Sequence, residues 1–567
     1  VKKLYIVALL LSGTKLLQAQ TTYLQSGTPE YHLLDRLETM NGVLTDDFSS
    51  TIKPISRKEA VRFLTQQKND VRFPKAEVKN MGYIDYQNME RALSISGEWT
   101  ETAEGDDGAI DSKRPILKYF YQKQPDMIHV NTDDFFMVIN PVIYAQLFAE
   151  RNSNNGTGYI NTRGVELRAR IFNKVGFYTM LGDNQEKAMS YVRALETSRG
   201  SYPGFDYYTH SSATAPYDAF LARGYFDFSL LQEHVNVTFG YDKNFVGDGL
   251  RSLMISEAGA PATFLRLRSK IWKLNYENLF LELMPDYRRG GDRILPKKYA
   301  AMHQVNMNVT RWLNIGIFES TMFGKANHIS VTNFVPVILF QSAARALGAE
   351  QKTSLGLNFK MIPIKNVQLY GQGYFDQIKL GEMGDGWWGN QFGMQLGAKY
   401  FDAFTISNLD IQAEANIVRP FTYSAGDTVT NYTHYNQPIA HPYGAGFVEF
   451  IGQIKYQPLH NLYLSAKGIY SVRGYDEAGN SGFTGYDIFA PNNNRPGGDY
   501  GYKLTGYNKV KGLYANINVA YEVRPNIFFE VGATGLKRDN NDLRLPTVIF
   551  GYGGLRWNIS RREYDFY

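Results

Sequence analysis

The chain has 567 residues, 44% hydrophobic and 20% charged, with 52 glycines, no cysteine, and 14% aromatic residues that include 40 tyrosines and 35 phenylalanines. This excludes a disordered tail and a disulfide-stapled module, and a formal charge of +5 gives no dense basic face for nucleic acid. Mean hydropathy is negative and no stretch beyond the first residues approaches the ~18 apolar residues of a spanning helix, which excludes a helical membrane protein but not a membrane β-barrel.

Val1-Lys2-Lys3, the apolar run Leu4 to Leu11 and Leu17-Gln18-Ala19 read as a secretory signal peptide, 1–19, with a mature start near Gln20. Its removal takes Lys2, Lys3 and Lys15 and leaves a charge of about +2. Leu33, Leu34, Leu37 and Met40 then recur at helical spacing, and Ser56-Arg57-Lys58-Glu59 fits a capping box ahead of Ala60, Val61, Phe63 and Leu64. Two short helices joined through Pro54 are predicted, in a periplasmic helical region spanning 20–90.

From about residue 92 the period becomes two, with a candidate extra strand at Leu93 to Trp99. Val165, Leu167, Ala169 and Ile171 alternate with Glu166, Arg168 and Arg170; Leu265, Leu267 and Ile271 alternate with Arg266, Arg268 and Lys270. Leu409 to Ile417 and Leu513 to Tyr521 repeat the pattern, each with one apolar and one polar face. Tight connections fall at Asn173-Lys174-Val175, Gln232-Glu233, Leu274-Asn275, Arg311-Trp312-Leu313, 363–366, 402–407, 458–461 and Arg524-Pro525-Asn526. Long ones fall between them, at 184–218, 243–261, 285–302, 323–351, 377–389, 419–444 and 472–509. Short turns on one side and long loops on the other are the habit of outer-membrane barrels.

The predicted fold is therefore all-β: a transmembrane antiparallel β-barrel of about 18 strands over 91–567, in the cell outer membrane and in contact with its lipid. Leu555, Trp557 and Ile559, then Tyr564, Phe566 and Tyr567, suggest an aromatic-rich last strand, and the tyrosine and phenylalanine excess reads mainly as interfacial girdles.

No HExxH, GxSxG, Walker A or paired-cysteine pattern occurs, so neither a catalytic residue nor a metal or other cofactor is assigned. Asp106-Asp107 and Asp133-Asp134 read as solvated acid pairs, and the oxygen-rich stretches Asp476 to Asn480 and Asn492 to Asp499 as turns lacking EF-hand spacing. Arg168, Arg170, Arg266, Arg268 and Lys270, with Glu414, are expected to line the lumen. They would either pair with Glu166, Asp410 and Glu414 or select anionic solutes or an acidic polysaccharide. Trp387 and Trp388, beside Asn390, would either stack on sugar rings or belong to a girdle.

Gly240 to Ser256, containing Phe245-Val246-Gly247-Asp248-Gly249-Leu250-Arg251-Ser252-Leu253, followed by Ala260-Pro261 and Phe264 to Leu267, resembles the central signature of the Wzi capsule-assembly family. Leu34, Leu37, Gly42 and Pro54-Ile55-Ser56 are similar to its helical opening. Gly386 to Asn390 and Asn436 to Phe447 resemble a branch found in gliding and gut bacteria. Phe245-Val246 stands where the family carries a tryptophan before the signature glycine. The resemblance implies an 18-strand outer-membrane barrel with a periplasmic helical bundle that acts as a lectin for capsular polysaccharide. The function expected is non-catalytic binding or organisation of surface polysaccharide. The alternatives are an outer-membrane component of a gliding-motility or secretion apparatus, with outer-membrane or periplasmic protein partners, or a porin.

Overall fold

A computed structural model describes residues 22–566, apart from 73–81, 101–107, 152–155, 173, 213, 231–233, 286–296, 325–330, 347–350, 477–483, 494, 496, 507 and 541–546. The signal-peptide stretch 1–19 and the pair Asp106-Asp107 lie outside the described residues.

Three helices come first: α1 (Pro29–Asn41), α2 (Arg57–Arg72) and α3 (Tyr83–Ile95). Pro29 opens α1, where its missing N–H costs nothing, and Gly42 closes it at φ 73°, donating its N–H to the Thr39 carbonyl at 3.0 Å. Ser56 caps α2 by accepting the Glu59 N–H at 3.3 Å. Leu33, Leu34, Leu37, Val61, Leu64, Met89 and Leu93 bury one shared apolar core between the helices. The strand expected at Leu93 to Trp99 is not formed: α3 runs through Ile95, and a 3₁₀ turn, Gly97–Trp99, follows. The alternation of Leu93, Ile95 and Trp99 coincides with helix ends packed on α2, so packing and not period decides there.

The barrel wall begins with β1 (Phe135–Arg151), β2 (Thr157–Ile171), β3 (Val175–Lys187), β4 (Tyr217–Leu230), β5 (Val235–Asp242) and β6 (Ala262–Ile271). It continues with β7 (Leu274–Leu283), β8 (Lys298–Asn308), β9 (Leu313–Phe323), β10 (Lys352–Ile364), β11 (Val367–Gln377) and β12 (Gln391–Tyr400). The last third is β13 (Leu409–Val418), β14 (Phe447–Leu459), β15 (Leu462–Gly474), β16 (Lys509–Arg524), β17 (Ile527–Asn540) and β18 (Val548–Trp557). Each strand is antiparallel to the next, and β18 returns to β1 from Ile549↔Arg151 to Trp557↔Ile143, closing the sheet so that it has no free edge. The loop sorting holds, except that 152–156 and 541–547 are short connections on the long-loop side.

Alternation places Leu147, Phe226, Leu357, Leu396, Phe450, Ile517 and Val531 outward, exposed on the wall where lipid would cover them. Phe172, Trp272, Trp312 and Phe404 stand exposed at short turns as one interfacial girdle. The girdles do not absorb most of the tyrosines. Among the described residues seventeen tyrosines are buried against eight exposed, and Tyr144, Tyr178, Tyr225, Tyr374 and Tyr514 point inward from the wall. The reason is that the lumen contains a packed core, which needs large rings with one polar tip.

The last strand also ends earlier than expected. β18 stops at Trp557, and 558–566 turns back into the lumen instead of extending the sheet. Tyr564 donates to Glu186 at 3.1 Å, and Arg562 reaches the same carboxylate at 2.8 Å.

Candidate functional site

The barrel interior is occupied by the helical region and by stretches of 188–208, 243–261, 419–446 and 558–566. From the short-turn side, α1 and α3 are tied to the wall by buried ion pairs. The Arg36 guanidinium contacts Asp85 at 2.8 Å, Asp402 at 2.5 Å and Asp410 at 2.6 Å. Lys360 meets Glu38 at 2.5 Å, and Arg91 bridges Glu30 at 2.5 Å and Glu522 at 2.7 Å. The Lys360 and Lys399 ammonium groups beside Asp35 hold its carboxyl well below the usual range.

From the long-loop side, 243–261 folds inward. Its Phe245–Val246 strand pairs with Ile52–Lys53, so the helical region and the loop meet in the lumen. Gly247, at φ 132°, leaves no room for a side chain, since a Cβ there would lie 2.3 Å from Gln372 Nε2. That amide donates to the Val246 carbonyl at 2.9 Å and accepts the Leu253 N–H at 2.8 Å. Glu414 accepts the N–H groups of Leu250 at 2.7 Å and Arg251 at 3.1 Å. The glycine-bounded signature is therefore an inward loop whose backbone is clamped by Gln372 and Glu414, while Leu253 and Met254 are fully buried.

The 419–446 connection packs onto the same core with Phe421, Tyr423, Tyr432 and His441 buried. His434 Nδ1 accepts the Met284 N–H at 3.0 Å, and its Nε2 lies 3.0 Å from the Pro261 carbonyl and donates to it. Burial pushes this imidazole down to about 4. Between these segments a cavity of about 610 Å³ remains, lined among others by Arg36, Arg223, Lys243, Lys455 and Arg562. Lys243, just past β5, is driven down to about 7 by burial, with Arg223 adding to the shift.

The structure places the predicted inward cations in the lumen but gives them partners other than Glu166, Asp410 and Glu414. Arg168 donates to the Ile95 carbonyl at 3.0 Å and lies 3.4 Å from Glu98. Arg170 donates to the Glu98 carbonyl at 3.2 Å and sits over Trp99. Arg268 pairs with Glu277 at 2.6 Å and donates to the Pro54 carbonyl at 3.0 Å. Arg266 bonds Asn244, and Lys270 bonds the Asp46 carbonyl. Asp410 and Glu414 stand on β13, and their oxygens serve Arg36 and the 250–251 amides instead. The partners come largely from the segment that enters the barrel, a contact that strand alternation cannot reveal.

At the outer mouth, two loops form one platform. Trp388 N–H donates to the Asp499 carbonyl at 2.9 Å, Tyr502 N–H to Gly386 at 2.9 Å, and Gly501 N–H to Asp385 at 3.2 Å. Trp387 and Trp388 are half-buried, 6.2 Å apart; Arg495 lies 3.7 Å over the Trp388 ring, and Phe421 meets its edge. Asn390 does not face outward. It is buried, accepting the Lys379 N–H at 2.8 Å and donating to the Glu382 carbonyl at 3.0 Å, which makes it a brace of the tryptophan loop. Arg419 braces it too, through the carbonyls of Asn390 at 2.8 Å and Trp387 at 3.3 Å. The exposed ring beside them, Tyr500, was not predicted; it sits in a polar loop with no periodic signal. Of the oxygen-rich stretches, Asp476 accepts backbone N–H groups from Thr484 at 2.9 Å and Asp487 at 3.1 Å, and 477–480 lies outside the described residues.

An eighteen-strand closed antiparallel wall with an apolar outer belt, sorted loops and an occupied lumen defines an outer-membrane β-barrel. Its architecture is similar to that of Wzi of Escherichia coli, described as a carbohydrate-binding outer-membrane β-barrel involved in group 1 capsule assembly. The TM-score is 0.53 and the identity 11%, over 96% of this chain and 100% of that one. OprD of Pseudomonas aeruginosa aligns at TM-score 0.40 and 10% identity, over 74% of this chain and 94% of that one. OpdK of the same organism, solved with vanillate, aligns at 0.42 and 8%, over 74% and 97%. No protein-family model and no curated protein matches the sequence.

Proposed function

We propose that this barrel is a non-enzymatic, lectin-like protein that binds surface polysaccharide at its outer mouth. The observation that carries the reading is the platform of 384–390 and 497–506, which holds Trp387 and Tyr500 at the surface on paired backbones. Flat rings match the apolar C–H faces of sugars, and the surrounding amides and acids suit hydroxyl groups. The full-length likeness to a carbohydrate-binding barrel supports it. Filling of the lumen by 243–261, 419–446 and 558–566 favours this reading over a general porin, for which planar-bilayer conductance is the discriminating measurement. A motility or secretion role would instead bring down a stoichiometric protein partner without glycan.

The test is binding of the purified barrel to polysaccharide extracted from its own cells. Saturable binding that weakens with Trp387→Ala and Tyr500→Ala supports the proposal; absence of binding by the folded barrel ends it.

A further inference from the structure

The segment 108–127 belongs neither to the wall nor to the helical core, and its surface is unlike that of either. It forms a short finger. Ser112 N–H donates to Gln122 at 2.7 Å, Gln124 N–H to Ile110 at 2.7 Å, and Ile116 and Phe120 exchange backbone bonds at 2.7 and 2.9 Å around a tip with Leu117 and Lys118 at φ 52° and 65°. Everything from Lys113 to Phe120 is exposed, Leu117 at 74% and Tyr119 at 79%. An ordered tip that presents Ile116, Leu117, Tyr119 and Phe120 to solvent carries a cost in water that a partner surface would relieve.

The base of the finger shows where that tip points. The Tyr121 ring is buried and stacked on Trp557, with centroids 6.0 Å apart and planes 28° from parallel. Trp557 is on the outer face of the wall at the short-turn rim, because Leu555 lies opposite Phe529, which is exposed outward, and Trp557 lies opposite Ile527 two residues further on. The strand Ile128–Asn131, which follows the finger, pairs with the rim end of β1 at Ile128↔Ile139. The finger is thus continuous with the girdle of Phe172, Trp272, Trp312 and Phe404. The two turns nearest to it along the rim on the β17 side, 458–461 and Arg524-Pro525-Asn526, carry no Phe, Tyr or Trp. Lys113, Arg114 and Lys118 have no ion-pair partner among the described residues, although Lys123 at the base pairs with Asp111 at 3.1 Å.

We propose that the finger is a membrane foot: Leu117, Tyr119 and Phe120 enter the interface of the leaflet on the short-turn side, while Lys113, Arg114 and Lys118 meet its anionic glycerophospholipid headgroups. Rings favour the headgroup level, and basic residues near an anionic surface add electrostatic attraction to it. The foot extends the aromatic girdle around the short-turn rim.

The chain has no cysteine, so nitroxide labels can be placed singly in the full-length protein in vesicles. Labels at Leu117→Cys and Tyr119→Cys are compared with Ile517→Cys on the lipid face and Ser198→Cys in an outer loop, after the heat-dependent gel shift has shown each barrel to be folded. In phosphatidylcholine vesicles containing phosphatidylglycerol, the ratio of oxygen to nickel-chelate accessibility at 117 and 119 is expected several-fold above that at 198 and near that at 517. Replacing Lys113, Arg114 and Lys118 together by Gln should lower the ratio at 117 and abolish its dependence on phosphatidylglycerol. Labels at 117 and 119 as water-accessible as 198 overturn the proposal, as does protection that appears only when periplasmic extract is added.

Discussion

Arg251 Nη1 lies 2.9 Å from Asp565 Oδ1 inside the lumen, which joins the loop entering from the outer mouth to the segment entering from the opposite rim. Glu449 supports the same guanidinium at 3.3 Å, and Lys467 approaches the other Asp565 oxygen at 2.9 Å. All four charges are removed from bulk water, so they stabilise the fold only as a set.

Removing Arg251 leaves Glu449 only His441, at 2.8 Å, and Asp565 only Lys467 as charged partners, so two buried carboxylates lose the cation they share. Arg251→Met is expected to destabilise the detergent-folded barrel by ~3–5 kcal/mol in urea unfolding, with Asp565→Asn recovering about 1–3 kcal/mol of that in the double variant. Additive effects would show that the two segments are held independently.

The inward loop depends on a glycine. A Cβ on Gly249 would stand 2.5 Å from Glu414 Oε2, which clamps the loop, and 2.9 Å from the Arg251 carbonyl, which accepts from Gln395 Nε2 at 3.0 Å. Gly249→Ala should cost ~1–3 kcal/mol and speed amide exchange over 245–256. Gly452→Ala, where a Cβ meets nothing within 4 Å, is the matched control and should leave exchange there unchanged.

Acid should loosen the 419–446 connection through His434. Both ring nitrogens are committed with the ring neutral, and protonating Nδ1 would put a second donor against the Met284 N–H. Because the folded value, about 4, lies below the unfolded value near 6.5, the unfolded chain binds the extra proton first as pH falls. The contribution of this residue, at most about 3 kcal/mol, is complete above pH ~6.5 and is lost as pH falls toward ~4. Amide exchange over 431–441 should rise across that window in the wild type and stay flat in His434→Gln; a flat wild-type profile would show that the ring is not the latch.

Period-two patterning made the wall readable in advance. In β13 and β16, for example, the polar residues Asp410, Glu414, Asn516 and Asn518 face inward and Ile417 and Ile517 outward. What fills the wall was not readable in that way. Arg251 and Asp565 are separated by 314 residues, and no local signal marks either as the other's partner. Phe566 and Tyr564 carry the same alternation as a last strand, and only the turn at Asn558, whose side chain donates to the Pro141 carbonyl at 2.9 Å, diverts the chain inward. Trp387 and Trp388 were visible as an aromatic pair between glycines, whereas the brace role of Asn390 follows from loop contacts set by folding.

The most direct test of the central claim is amide hydrogen exchange on the folded barrel, with and without saturating polysaccharide from its own cell surface. The account predicts protection concentrated in 376–390 and 497–506, reduced in Trp387→Ala, with the lumenal segments 245–256 and 558–566 unchanged. No protection in the outer loops, or protection confined to the lumen wall, would contradict it.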